Sequence, residues 1–126
     1  MSGGGSGVSV PSHSLNTPGD LEPPFRCEVL HERDAVRVRP IGSLDLATTP
    51  ELEQQIEELR QAGVRNVIVD LSGLVFMDST GVRLALKLEA VSRQDGFEIG
   101  PVPGPPAVQR VFEVTATTGV VRFIRA

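Results

Sequence analysis

Val67-Ile68-Val69-Asp70-Leu71, then Leu74-Val75-Phe76-Met77, then Asp78-Ser79-Thr80-Gly81 is the stretch on which the fold turns. The first run is short, almost wholly apolar and rich in β-branched residues, which predicts a central strand covered on both faces. The second apolar run leads into a junction of small and polar residues. A helix follows it, on which Leu84, Leu88 and Val91 form the buried stripe, with Gly81 and Ala85 beside them. Arg83, Lys87, Ala90 and Gln94 fall on the opposite face, and Gly96 closes the helix.

Upstream, Arg26–His31 alternates with Cys27, Val29 and His31 on one side. After Glu32-Arg33-Asp34 a second alternating run carries Val36 and Val38, with Ile41 near the same buried side. Two period-2 runs about a short polar turn predict a β-hairpin. A helix then starts with Thr49 as N-cap, Pro50 at N1, and Glu51 and Glu53 at the positive end of its dipole. Leu52, Ile56 and Leu59 make its apolar stripe and Gly63 its stop. A strand, a helix and a strand in succession imply a parallel crossover. Downstream, Phe97–Ile99 reads as a short strand, Gly100–Pro106 as a stiff loop, Ala107–Val114 as a third helix and Val120–Ile124 as a final strand. The order β-β-α-β-α-β-α, with or without that last strand, predicts an α/β domain: a mixed four- to five-stranded sheet with helices mainly on one face.

With 126 residues the chain fits one domain. There is no Trp or Tyr and only 5 Phe, so the core must be mostly aliphatic. Residues 1–24 are rich in Gly, Ser and Pro and hold no Lys or Arg, which predicts a disordered tail ahead of a domain spanning 25–126. The N-terminus has neither the basic start nor the apolar run of a secretory signal. No segment approaches the roughly 18 consecutive apolar residues of a membrane span, so direct membrane insertion is not expected. The net charge of -4, with Lys87 the only lysine and the arginines scattered, argues against nucleic acid as a partner. A lone Cys27 cannot staple a domain and suits a reducing cytoplasm.

The simplest reading of Asp78-Ser79 at a strand-to-helix junction is a cap. A serine there is also well suited to modification. Its hydroxyl faces outward at a chain reversal, a helix N-terminus tolerates phosphate, and the added charge would repel or desolvate any partner surface in contact. Arg83 and Lys87 share a face one turn apart; the plain reading is a solvated face, the functional one a contact with acidic groups on a partner. Cys27 and His31 lie on one strand face with no third group to orient them, so Cys27 reads as a buried or edge residue. His13 and His31 are isolated, and no metal ligand set or cofactor is expected.

Four segments in register resemble the STAS domain of anti-sigma factor antagonists: Gly42-Ser43-Leu44-Asp45-Leu46-Ala47-Thr48-Thr49, Val67–Ser72, Phe76–Gly81, and Val108-Gln109-Arg110-Val111-Phe112-Glu113-Val114. The resemblance covers about residues 25–125. It implies the STAS fold and a partner-switching cycle. The protein would bind an anti-sigma factor with serine kinase activity, release a sigma factor, be phosphorylated at Ser79 and let go; a phosphoserine phosphatase would restore it. The chain would be the substrate and not an enzyme, in keeping with the lack of a Walker-type loop or of a nucleophile–base–orienter set. Carried over by position, Ser79 is the phosphoacceptor, Thr80 the second choice, and Asp78 shapes the acceptor loop. Asp45 contributes to the kinase contact, although on its residues alone it reads as a loop Asp supporting the coming helix. Asp45, Asp78, Ser79, Thr80, Gly81, Arg83 and Lys87 together make the expected partner surface. Ser43 stands where the family commonly has Glu, Thr115-Ala116-Thr117 replaces its Thr-Gly-Leu, and the Pro/Gly-rich 100–106 is expected to shorten the fourth strand. STAS domains also serve as non-switching modules of lipid-transport ATPases and of stress-sensing complexes, and that is the alternative.

Overall fold

The computed structural model describes residues 24–115, 117 and 119–124. The tail expected over 1–24 lies outside these, apart from Pro24. Strand β1 (Arg26–His31) and β2 (Val36–Leu44) form the expected antiparallel hairpin, followed by α1 (Thr49–Gln61) and β3 (Asn66–Asp70). A 3-10 turn (Leu71–Gly73) leads to β4 (Leu74–Met77), α2 (Ser79–Asp95), β5 (Glu98–Val102) and α3 (Pro106–Val114). The sheet has five strands in the order β1-β2-β3-β5, with β4 also paired to β2. All pairings except the hairpin are parallel. The fold is thus α/β, a mixed five-stranded sheet with three helices.

All three helices pack on one side of the sheet, the side that carries the continuous apolar cluster. Val38 of β2 and Val67 and Val69 of β3 meet Leu52 and Ile56 of α1, Val82 and Leu84 of α2, and Val108 and Phe112 of α3 in one buried cluster. Alternation in β2 carries this face on through Pro40, Gly42 and Leu44, which turns Ile41 to the other side, against expectation. Pro40 tolerates a central strand because β2 changes partner there: it pairs with β3 through Val38 and with β4 from Gly42. The missing N–H falls in the gap between the two ladders.

No helix of the described residues lies over the far face of the sheet. Around Asp70 it carries paired charges in place of a second packed layer, where β3 was expected to be covered on both faces. Asp70 is only 3% exposed, and its Oδ2 accepts from Arg37 Nη1 at 2.9 Å and Arg39 Nε at 3.2 Å. Arg37 also reaches Glu32 and Arg39 reaches Glu28. Burial pushes the Asp70 carboxyl upward, but hydrogen bonds from Ser72, Arg37 and Arg39 outweigh it and hold the group below the ordinary 3.8.

Three further expectations need correction. β5 runs to Val102, through Pro101. It is an edge strand, and the Pro101 carbonyl points away from β3 to accept from Ile124 N–H at 2.8 Å, so the absent N–H would have pointed outward too. Residues 120–124 do not form a strand. They lie along this edge with Val121 buried, Phe123 edge-on to Phe112 at 4.9 Å and Arg122 paired with Glu89 at 2.7 Å. Thr49 is not the N-cap of α1 but its first residue; Thr48 holds the cap position and makes no side-chain cap bond.

Candidate functional site

β2 and β4 are parallel neighbours, so the loops leaving their carboxyl ends must lie side by side. Leu44 pairs with Met77, and Asp78 N–H extends the ladder by donating to the Leu44 carbonyl at 3.1 Å. This brings the Asp45 loop and the Asp78 loop together, although 33 residues of chain separate them.

Each loop is set by its aspartate. Asp45 Oδ1 accepts from the backbone N–H of Ala47 (3.0 Å) and Thr48 (3.2 Å), while its carbonyl accepts from the Thr49 hydroxyl at 2.6 Å. Thr48 is occupied as well, donating to the Ser43 carbonyl at 2.7 Å, which is why it caps nothing. Asp45 therefore performs the supporting role read from the residues alone. Asp78 is the N-cap of α2: Oδ1 accepts from Thr80 N–H at 2.9 Å and also from the Thr80 hydroxyl. The Thr80 hydroxyl in turn lies 3.4 Å from that of Thr49, which ties the two loops together.

This leaves a contrast between the two candidate acceptors. Thr80 is half-buried and hydrogen-bonded on the inner side of the loop. Ser79, the first residue of α2, is exposed, and its hydroxyl has no hydrogen-bond partner among the described residues. Gly81 completes the loop by close approach. A Cβ there would come within 2.5 Å of Met77 Cγ and 2.6 Å of its Sδ, and within 3.1 Å of Leu44. Since Met77 is buried against the core, Gly81→Ala is expected to lower stability by about 2 kcal/mol, measured by urea unfolding.

α1 and α2 flank a groove of about 290 Å³ beside the site, lined by Leu46, Thr49, Glu53, Thr80, Arg83 and Lys87 among others. Here the structure alters the expected surface. Lys87 is bridged across the groove to Glu53, so its charge is partnered within the chain. Arg83 is exposed and has no ion pair or hydrogen bond among the described residues. Two exposed apolar residues that sequence reasoning did not single out adjoin the two loops. Leu46, 76% exposed, sits on the Asp45 loop, and Phe76, 49% exposed, precedes the Asp78 loop. A bulge conceals the second from periodicity: Gly42 pairs with Leu74 but Ser43 with Phe76, so Val75 is an extra residue and both Val75 and Phe76 face outward.

Cys27 is far simpler. It is a half-buried residue of the edge strand β1, and burial together with Glu51 pushes its thiol up to about 11, so it stays protonated at neutral pH. His31 is exposed at the end of the same strand. No described helix is long and apolar enough to cross a membrane, and no described group of three His, Cys, Asp or Glu residues is placed to hold a metal ion.

The family model described as "Mlab, STAS domain" matches residues 27–122. The chain belongs to the STAS family. Within it, the anti-sigma-B factor antagonist of Staphylococcus epidermidis is 38% identical over 88 residues, covering 70% of this chain and 82% of that protein. A crystal structure of an anti-sigma factor antagonist from Mycobacterium paratuberculosis superposes with a TM-score of 0.69 at 23% identity, covering 89% and 92% of the two chains. The antagonist SpoIIAA in its unphosphorylated form superposes at 0.64 with 25% identity, covering 82% of this chain and 88% of that one. Its Bacillus phosphorylated form gives 0.60 at 24%, covering 82% and 91%. These relatives group the STAS domain described here with the anti-sigma factor antagonists, which are regulators and not enzymes.

Proposed function

We propose that the chain is a cytoplasmic switching antagonist: it binds an anti-sigma factor that is also a serine kinase, frees the sigma factor, and is turned off by phosphorylation of Ser79. In that step the Ser79 oxygen bonds to the γ-phosphorus of ATP, the bond to the β-phosphate oxygen breaks, and ADP leaves. The hydroxyl proton passes to a base on the kinase. A phosphoserine phosphatase hydrolyses the ester and resets the protein.

The observation that carries this reading is the difference between Ser79 and Thr80. The first hydroxyl is exposed and unpartnered at a helix start, while the second is held by Asp78. Around Ser79 the docking surface comprises the Asp45 loop with Leu46, Phe76, the Asp78–Gly81 turn, and Arg83 and Lys87 on α2. Apolar anchors beside a modifiable serine suit a contact that one charge can break.

Intact mass with site mapping, on protein from its own cells before and after stress, tests the proposal. One added phosphoryl group at Ser79, changing with conditions, is expected. Thr80→Val should keep the modification and Ser79→Ala should lose it. Ser79 unmodified under every condition would instead favour the non-switching module, with a membrane ATPase or a larger complex as the partner to look for.

A further inference from the structure

We infer that Arg83 is the internal partner of the Ser79 phosphoryl group, so that modification both adds negative charge and withdraws the cation that the unmodified face presents. This rests on the reading of Ser79 as the phosphoacceptor.

Ser79 is the first residue of α2 and Arg83 the fifth. Residues at i and i+4 lie one above the other on a helix, and every Cα–Cβ bond tilts toward the N-terminus. The long, unpartnered side chain of Arg83 is therefore within reach of a group carried on Ser79 one turn before it. Both side chains are exposed, and neither has a partner among the described residues.

Most of the surrounding charge is engaged elsewhere. Lys87, one turn further on, is held by Glu53, and Asp78 spends one carboxylate oxygen on the Thr80 N–H and hydroxyl. The Asp45 carboxylate is turned to its own loop. A guanidinium matches phosphate oxygens through two parallel N–H donors, and the start of the helix favours the same negative charge.

The switch then has two parts. Unmodified, Arg83 stands free beside the groove of Leu46, Thr49 and Glu53 and is available to an acidic group of the anti-sigma factor. Modified, it folds back onto the phosphoryl group. The Ser79–Arg83 pair passes from one positive charge to a net of about one negative, and the partner loses its counter-charge as well as meeting a repulsive one.

The test is a phosphorus NMR titration of the full chain with phosphoserine installed at position 79 during translation. The second ionisation of the phosphoryl group is expected about half a pH unit lower with Arg83 than in Arg83→Gln, with Arg83→Lys between them. The difference should shrink in high salt. The helix dipole acts on all three proteins alike and cancels. Equal midpoints in the three proteins would overturn the inference. Because the titration needs no kinase, it is independent of whether cells modify Ser79. Equal midpoints alongside a modified Ser79 in cells would remove Arg83 and leave the switch intact.

Discussion

Asp70→Ala is expected to lower stability by about 3 kcal/mol at neutral pH, and Asp70→Asn by about 2 kcal/mol. Asp70 has two tasks. One carboxylate oxygen caps the 3-10 turn by accepting from Ser72 N–H at 3.0 Å, and the other accepts from Arg37 and Arg39. Asparagine can keep the first task but not the charge, so the difference between the two variants isolates the cap. The arginines would not be stranded, because Glu32 and Glu28 still reach them and their side chains are 19% and 34% exposed. That residual pairing holds the cost to the lower end of what breaking a buried ion pair takes.

The pH dependence of this effect has a definite sign. The folded carboxyl ionises below its ordinary 3.8, so its contribution is fully present above that value and is lost as the pH falls through the lower, folded value. Urea unfolding of wild type and Asp70→Asn should therefore differ most near neutrality and converge only in acid. A difference below about 0.5 kcal/mol at pH 7 would mean that the two arginine contacts add nothing net.

The order of elements was legible because apolar periodicity and chain punctuation agree. Pro50 marks the start of α1, and Gly63 and Gly96 follow α1 and α2 with φ of 94° and 65°. What periodicity missed was decided by partners distant in sequence. Pro101 looked like a strand breaker, yet an edge position does not need its N–H. Val75 and Phe76 belong to a continuous apolar run, which gives no sign that both are exposed beside the bulge against β2. Glu89 falls on the inward side of α2, 4% exposed, where an apolar residue would be expected; the sequence gives no sign that Arg122, 33 residues later, returns to pair with it. Lys87 read as a solvated cation for the same reason, since Glu53 lies on another helix.

The candidate site divides along the same line. Asp78-Ser79-Thr80-Gly81 announces a strand-to-helix turn, and both the cap and the need for glycine follow from local chemistry. The choice between adjacent hydroxyls does not, because it depends on which one Asp78 and Thr49 engage. Leu46 could be assigned to the surface only once the parallel pairing of β2 and β4 had brought the two loops together.

Phosphorylation of Ser79 is expected to weaken binding to the anti-sigma factor about a hundredfold, or about 3 kcal/mol. Isothermal titration against the partner captured with Ser79→Ala would measure it. Ser79→Ala should bind as tightly as the unmodified protein, because the hydroxyl makes no internal bond whose loss would disturb the loop. Ser79→Asp should fall between the two. Aspartate adds one charge where phosphate adds between one and a half and two, and its flat, shorter carboxylate reaches Arg83 less fully. Combining Ser79→Asp with Arg83→Gln separates repulsion from loss of the counter-charge. If repulsion alone breaks the contact, the two effects add. If the aspartate already sequesters Arg83, removing that arginine costs less in the Ser79→Asp background than in wild type, and the shortfall measures the capture. A Ser79→Asp protein that binds as tightly as wild type would count against the charge argument, because even one added negative charge at this spot should weaken the contact.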